Sequence, residues 1–230
     1  RGVSVGSTST YGKGTVQRNI GLDENGFSRS NAELGTVKLT LQKFYRINGG
    51  STQLKGVSSD IILPDNLEYL KVREKDDEDA LPWDEINKAT YKNWDPGYDL
   101  KTIQQLSNLR LENDNTFNLI KESSEWLSNQ NTKEYSLELD KYKLEQEAIR
   151  KTVKQLESLL KLKAELDVTA LPKEVDRWSD DKSKQERFQQ WLKSLQKDIY
   201  LDQAMKVMND MISQQNLVKI KGNEEPKKAF

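Results

Sequence analysis

Tyr11-Gly12-Lys13-Gly14-Thr15-Val16-Gln17 sets one lysine between two glycines, directly after the short run Gly2-Val3-Ser4-Val5-Gly6. Glycines at 12 and 14 let the backbone bend sharply and approach a ligand closely. A lysine held in such a place can be desolvated, and desolvation favours the neutral amine, the form that acts as a base. The ordinary alternative for a lysine beside glycines is a surface turn, and seven residues do not decide between the two. A phosphate-binding loop is excluded. That motif needs four residues between its glycines and a Ser or Thr after the lysine. Here five residues, Ser7 to Tyr11, separate Gly6 from Gly12, and Gly14 follows Lys13.

The rest of the first third carries more. Leu34-Gly35-Thr36-Val37-Lys38-Leu39-Thr40 is followed by Lys43-Phe44-Tyr45-Arg46. Next come Asn48-Gly49-Gly50-Ser51-Thr52-Gln53 and Lys55-Gly56-Val57-Ser58-Ser59-Asp60-Ile61-Ile62-Leu63-Pro64. In this order the motifs resemble the end of the peptidase core of the carboxy-terminal processing peptidases, also called tail-specific proteases. The resemblance continues through Ala80-Leu81-Pro82-Trp83-Asp84 and returns near Asp198-Ile199-Tyr200-Leu201-Asp202. The motifs up to Trp83 are specific as a set, and the helical remainder matches mainly in pattern.

The resemblance implies an α+β chain: a partial β-sheet from the end of a Ser-Lys peptidase core, followed by a mostly α-helical domain. It implies that Lys13 is the general base that takes the proton of an attacking serine, and that Gln17 orients that lysine. A serine hydroxyl is a poor nucleophile until a neighbouring base accepts its hydrogen. On a straight strand, residues four apart stand about 13 Å from each other, so contact between Lys13 and Gln17 requires a bent backbone. The nucleophile, the oxyanion donors and a substrate-gating PDZ domain would all precede Arg1, since Ser4, Ser7 and Ser9 are too near Lys13. These residues alone are therefore expected to lack peptidase activity. The implied substrates are proteins with apolar or disordered C-termini. The implied compartment is periplasmic or otherwise exported, in a bacterial envelope, and no cofactor or metal is implied.

Composition bounds the alternatives. The chain has 230 residues, 36 Lys+Arg against 37 Asp+Glu, and a net charge of −1. That balance argues against a nucleic-acid surface, which wants a basic excess. Charged residues are 32% and hydrophobic ones 34%, which suggests long exposed helices around a thin core. With neither cysteine nor histidine, zinc sites, thiol nucleophiles and a Ser-His-Asp triad are excluded within these residues. The available bases are Lys, Asp and Glu. No long apolar run predicts a membrane helix. The opening on Arg1, without Met or signal peptide, is what a piece of a longer chain would show.

Taken in order, 2–6 and 15–20 read as strands, and Gly21 to Ser30 as a loop. Thr36 to Ile47 alternates apolar and polar residues as a longer strand and ends at Asn48-Gly49, a hairpin signal, with Gly56 to Leu63 as the return strand. The run Glu74-Lys75-Asp76-Asp77-Glu78-Asp79 reads as a solvated linker, because it lacks the ligand spacing and turn glycine of a calcium loop. Trp83, Tyr91 and Trp94 are expected to pack this connector onto a neighbour.

From Asp99 the period becomes helical. Leu100, Ile103, Leu106 and Leu109 mark one helix capped by Asp99. Phe117, Ile120 and Leu127 mark a second, capped by Asp114 or Asn115. Tyr135, Leu137 and Leu139 suggest an extended piece. A long helix is expected from Asp140 to Leu166, another over Phe188, Trp191, Leu192 and Leu195, and a last one after Asp198 with Leu201, Ala204, Met205, Met208, Met211 and Ile212 inward. The Met and Leu stripes read as bundle core.

The resulting division is 1–70 peptidase core, 71–98 acidic and aromatic linker, 99–216 helical domain and 217–230 flexible tail. A second reading makes the helical part a scaffold or interaction domain without chemistry, in which it shapes access to the site or binds an accessory or adaptor protein. A free-standing coiled-coil adaptor leaves the first 64 residues unexplained.

Overall fold

A computed structural model describes residues 2–22, 34–68, 70, 72–92, 97–175 and 177–222. Most of the loop expected before Ser30, Trp94 of the connector and the end of the tail lie outside the described residues. The fold is α+β. Its contacts group into two compact units, one formed by Arg1–Gly6, Asp60–Leu70 and Asp95–Phe230, the other by Ser7–Ser59 and Lys71–Trp94.

Among the described residues the first unit holds five helices: α1 (Leu100–Glu112), α2 (Asn115–Asn131), α3 (Leu139–Leu159), α4 (Lys182–Leu195) and α5 (Ile199–Gly222). Four of them start on an aspartate whose carboxylate accepts first-turn amide protons that have no partner within the helix. Asp99 accepts from the amides of Lys101 and Thr102, Asp114 from Thr116, Asp181 from Lys184, and Asp198 from Tyr200 and Leu201. A two-stranded parallel pair, β1 (Val5–Gly6) with β4 (Ile61–Ile62), belongs to the same unit. Its Ile61, together with Leu63, joins Ile103, Leu111, Phe117, Ile120, Leu156, Ile199 and Val207 in one core. Phe117 meets the ring of Tyr200 edge-on at 6.1 Å, and the Tyr200 hydroxyl donates to the carbonyl of Pro64. Burial, followed by the charges of Asp65 and Asp198, pushes this phenol up to about 12.

Several helical expectations are corrected. In α1 the inward face is Ile103, Ser107 and Leu111, while Leu106 and Leu109 are exposed. At 3.6 residues per turn a step of four turns about 40° round the helix and a step of three about 60° the other way, so repeated threes leave a face sooner. In α5 Ile199, Gln203 and Val207 are buried, and Met205, Met208 and Ile212 face outward. The helix expected to reach Leu166 stops at Leu159. Beyond it, Leu162 and Leu166 donate their amides to the carbonyls of Lys197 and Gln196, and these tertiary partners replace the helical ones. Leu139 opens α3 rather than ending an extended piece.

The second unit contains an antiparallel ribbon, β2 (Thr15–Gly21) with β3 (Thr36–Lys43). The longer strand therefore ends at Lys43 and pairs backward with β2, not forward with a strand over 56–63. Asn48-Gly49 does turn the chain, and Tyr45 bridges Ser51 across it. After that, Leu54 (φ 62) and Gly56 (φ 65) divert the backbone onto residues 8–12. There the amide of Thr10 donates to Val57 and that of Ser59 to Thr8. Val16, Val37, Leu39 and Leu41 are all exposed, so the ribbon has no apolar cover among the described residues.

Ile120→Ala removes a fully buried side chain and should cost about 2–5 kcal/mol of stability, whereas Met208→Ala should stay within about 0.5 kcal/mol. Urea unfolding followed by circular dichroism compares them. The Asp99 carboxyl is held below its ordinary value, first by the Thr102 hydroxyl and then by the Thr102 amide. A depressed folded-state pKa stabilises above the unfolded value and is lost as the pH falls through the folded one. The stability gap between the wild type and Asp99→Ala should therefore be full at neutral pH and shrink below about pH 4.

Candidate active site

Lys13 sits where two backbone segments press together. A Cβ on Gly12, which adopts φ +102, would stand 2.8 Å from the carbonyl oxygen of Leu54. One on Gly14 would stand 2.5 Å from the amide nitrogen of Gln53 and 2.7 Å from Ser51 Oγ. Only glycine admits this approach on both sides of the lysine. Hydrogen bonds then fix the strand. Thr52 Oγ1 donates to the carbonyl of Lys13 (3.0 Å), the amide of Gly14 donates to Gln53 Oε1 (2.9 Å), and the amide of Phe44 donates to the carbonyl of Gly14 (3.1 Å).

The Lys13 side chain is exposed while its backbone neighbours are buried. Lys13 Nζ donates to Gln17 Oε1 at 3.1 Å, and Gln17 Nε2 lies 3.4 Å from Thr40 Oγ1. The register of β2 against β3 shifts between Val16 and Gln17. A bulge of this kind bends the strand and re-aims its side chains, and it adds to Gly12 and Gly14 in bringing residues four apart into contact.

Sequence reasoning missed three features here. The first is the acidic run. It does not stand off in solvent: Glu74–Asp76 forms one turn of 3₁₀ helix, and the amide of Glu74 donates to the carbonyl of Tyr11 (3.0 Å). Lys13, Gln17, Lys38 and Thr40 line one side of a cleft of about 490 Å³ to which Glu74, Asp77 and Asp79 also contribute. Nothing in the composition of the run separates a packed acidic turn from a free one.

The second is Gln53, fully buried behind Gly14. The third is the loop that carries it. Trp83 Nε1 donates to the carbonyl of Ser51, and Lys55 Nζ lies 3.2 Å above the indole ring. Asp84 accepts from Lys43 Nζ and from the Tyr45 hydroxyl. The Tyr45 phenol is raised accordingly, chiefly by that hydrogen bond. The order Ser51-Thr52-Gln53 and Trp83-Asp84 was visible as motif, but the contacts were not. Among the described residues, Asp and Glu do not gather into a metal-holding group.

Residues 1–63 match the model of Peptidase family S41. Residues 67–213 match the model described as the C-terminal domain of tail specific protease, and the chain belongs to that family of tail-specific proteases. The tail-specific protease of Haemophilus influenzae is 44% identical to it over 91 residues, 40% of this chain. The chain spans 13% of that relative's length.

Gly14→Ala drives a methyl group into backbone and should cost about 1–3 kcal/mol. Gly2, with nothing within 4 Å of its Cβ position, should accept Ala within about 0.5 kcal/mol. Thermal unfolding of the two variants compares them.

Proposed function

We propose that these residues are the carboxy-side portion of a serine endopeptidase with a Ser-Lys dyad, which cleaves proteins at or near their C-termini. Lys13 is the general base and Gln17 the group that orients it. The observation that carries this reading is the Lys13–Gln17 contact at 3.1 Å, at the entry to a strand whose Lys13–Gly14 peptide is held at both its carbonyl and its amide. A neutral Lys13 amine takes the proton from the serine Oγ as that oxygen attacks the peptide carbonyl, and then returns a proton to the leaving amine. Gln17 Oε1, itself steadied near Thr40, accepts one amine hydrogen and so turns the lone pair towards the serine.

The serine, the oxyanion donors and the cover that keeps the amine neutral are assigned to upstream sequence. On this reading 1–70 completes a peptidase core and 99–216 is a helical domain that shapes access or receives an accessory protein. The substrates are proteins with apolar or disordered C-termini, and the compartment is periplasmic or otherwise exported. No described helix is long and apolar enough to cross a membrane. A second reading, a helical scaffold without chemistry, draws support from the apolar residues left outward on α3 and α5, among them Leu144, Met205 and Met208.

The 230-residue chain should show no turnover of an unstructured peptide with an apolar C-terminus; serine-dependent cleavage by it would refute the division of labour. In the longer protein that carries the upstream residues, Lys13→Ala should lower kcat by roughly 10²–10⁴-fold. Lys13→Arg should not rescue it, since a guanidinium stays protonated. Retained activity in Lys13→Ala would favour the scaffold reading of these residues.

A further inference from the structure

The geometry points to Gln53 and Glu74 as a clasp that positions Lys13, closing on the lysine's strand from both flanks. This inference rests on the reading of Lys13 as the base.

Four contacts build the clasp. On the carboxy side of the lysine, the amide of Gly14 donates to Gln53 Oε1 at 2.9 Å. The other end of the same side chain, Nε2, donates to Glu74 Oε1 at 3.0 Å. On the amino side, the amide of Glu74 donates to the carbonyl of Tyr11 at 3.0 Å. The Tyr11 hydroxyl also hydrogen-bonds the Glu74 carboxylate, and its phenol is raised, first by desolvation and then by the Glu74 charge. A single residue of the acidic run thus touches the chain two positions before Lys13 and, through one buried amide, one position after it.

Gln53 has properties that suit a positioning group better than a filler. Its side chain is fully buried, yet both polar ends are satisfied, so its place is specified by direction and not only by volume. Its own amide donates to Ser51 Oγ, and the next residue, Leu54, is held at φ 62. A non-glycine residue in the left-handed region persists only where its surroundings over-determine it. The loop therefore spends local strain to deliver this one amide. Neither Gln53 nor Glu74 touches the Lys13 amine, so each acts through the backbone, which sets where the base stands and how Gln17 meets it.

The clasp also joins the two sequence families in the chain. Gln53 lies within the residues matched as Peptidase family S41, and Glu74 within those matched as the C-terminal domain of tail specific protease. The second segment thus reaches into the support of the first one's lysine.

The test uses the longer protein that carries the upstream residues, with Gln53→Ala, Glu74→Ala and the conservative Glu74→Gln. For the two alanine variants, kcat should fall at least tenfold while KM stays within about twofold. The acidic limb of the pH–rate profile should move, and Glu74→Gln should recover most of the loss because its amide oxygen still accepts from Gln53. Unchanged kcat and an unmoved limb in both alanine variants would overturn the clasp, as would an equal loss in Glu74→Gln. Lys13→Ala run alongside separates the two ideas: if it keeps activity, the reading of the base fails. Should an alanine variant fold poorly, amide hydrogen exchange at Gly14 in the milder Glu74→Gln and Gln53→Glu proteins decides. Gln53→Glu keeps the acceptor for Gly14 but sets two carboxylates together, so exchange there should speed up at least tenfold relative to wild type and Glu74→Gln. Equal protection in all three would overturn the clasp independently of any activity.

Discussion

Two backbones pressed together without room for a Cβ set the conditions for everything else in the second unit. The strand through Gly12 and Gly14 lies so close to the loop through Ser51, Gln53 and Leu54 that ordinary side chains at either glycine would meet main-chain atoms. Close approach brings donors and acceptors into range: Thr52 reaches the carbonyl of Lys13, and Gln53 reaches the amide of Gly14. The lysine side chain is exposed and donates to Gln17. A side chain with four rotatable bonds is thereby mounted on a backbone fixed by hydrogen bonds, the kind of support that a positioned functional group requires.

The helical unit obeys a different economy. Its buried apolar residues are few, the largest fully buried ones including Phe117, Ile120 and Ile103. Polar groups enter this core: Ser107, Ser124 and Gln203 are buried, and each has a side-chain oxygen without a protein partner. Arg110 joins α1 to α5 through Asp210 at 2.7 Å. The exposed ion pairs along α3 and α4, such as Lys141–Glu138 and Lys184–Asp181, add little to stability individually.

How much of this was legible in the sequence depended on range. Helix starts were readable because a cap is a local event: Asp99, Asp114 and Asp198 sit one residue before the helices they begin. Helix faces were read less well. Counting by threes put Leu106 and Leu109 inward and let the Met residues of α5 stand for core, whereas buried serine and glutamine on the true faces disguised them. The end of α3 could not be read, since the groups that stop it are carbonyls of residues 196 and 197, far along the chain. The motif pointed to Lys13 and Gln17, which the structure places in contact, but nothing in it pointed to Gln53 or Glu74. A buried glutamine resembles a surface one in sequence, and an acidic run looks solvated until its contacts are seen.

The β2–β3 ribbon has one more consequence. Val16, Val37, Leu39 and Leu41 are exposed on it, and two strands by themselves hold their shape poorly. A further strand laid along it would supply apolar cover and neighbouring backbone partners in one step. Under the proposed reading of Lys13, completing that sheet and completing the lysine's surroundings would be a single event.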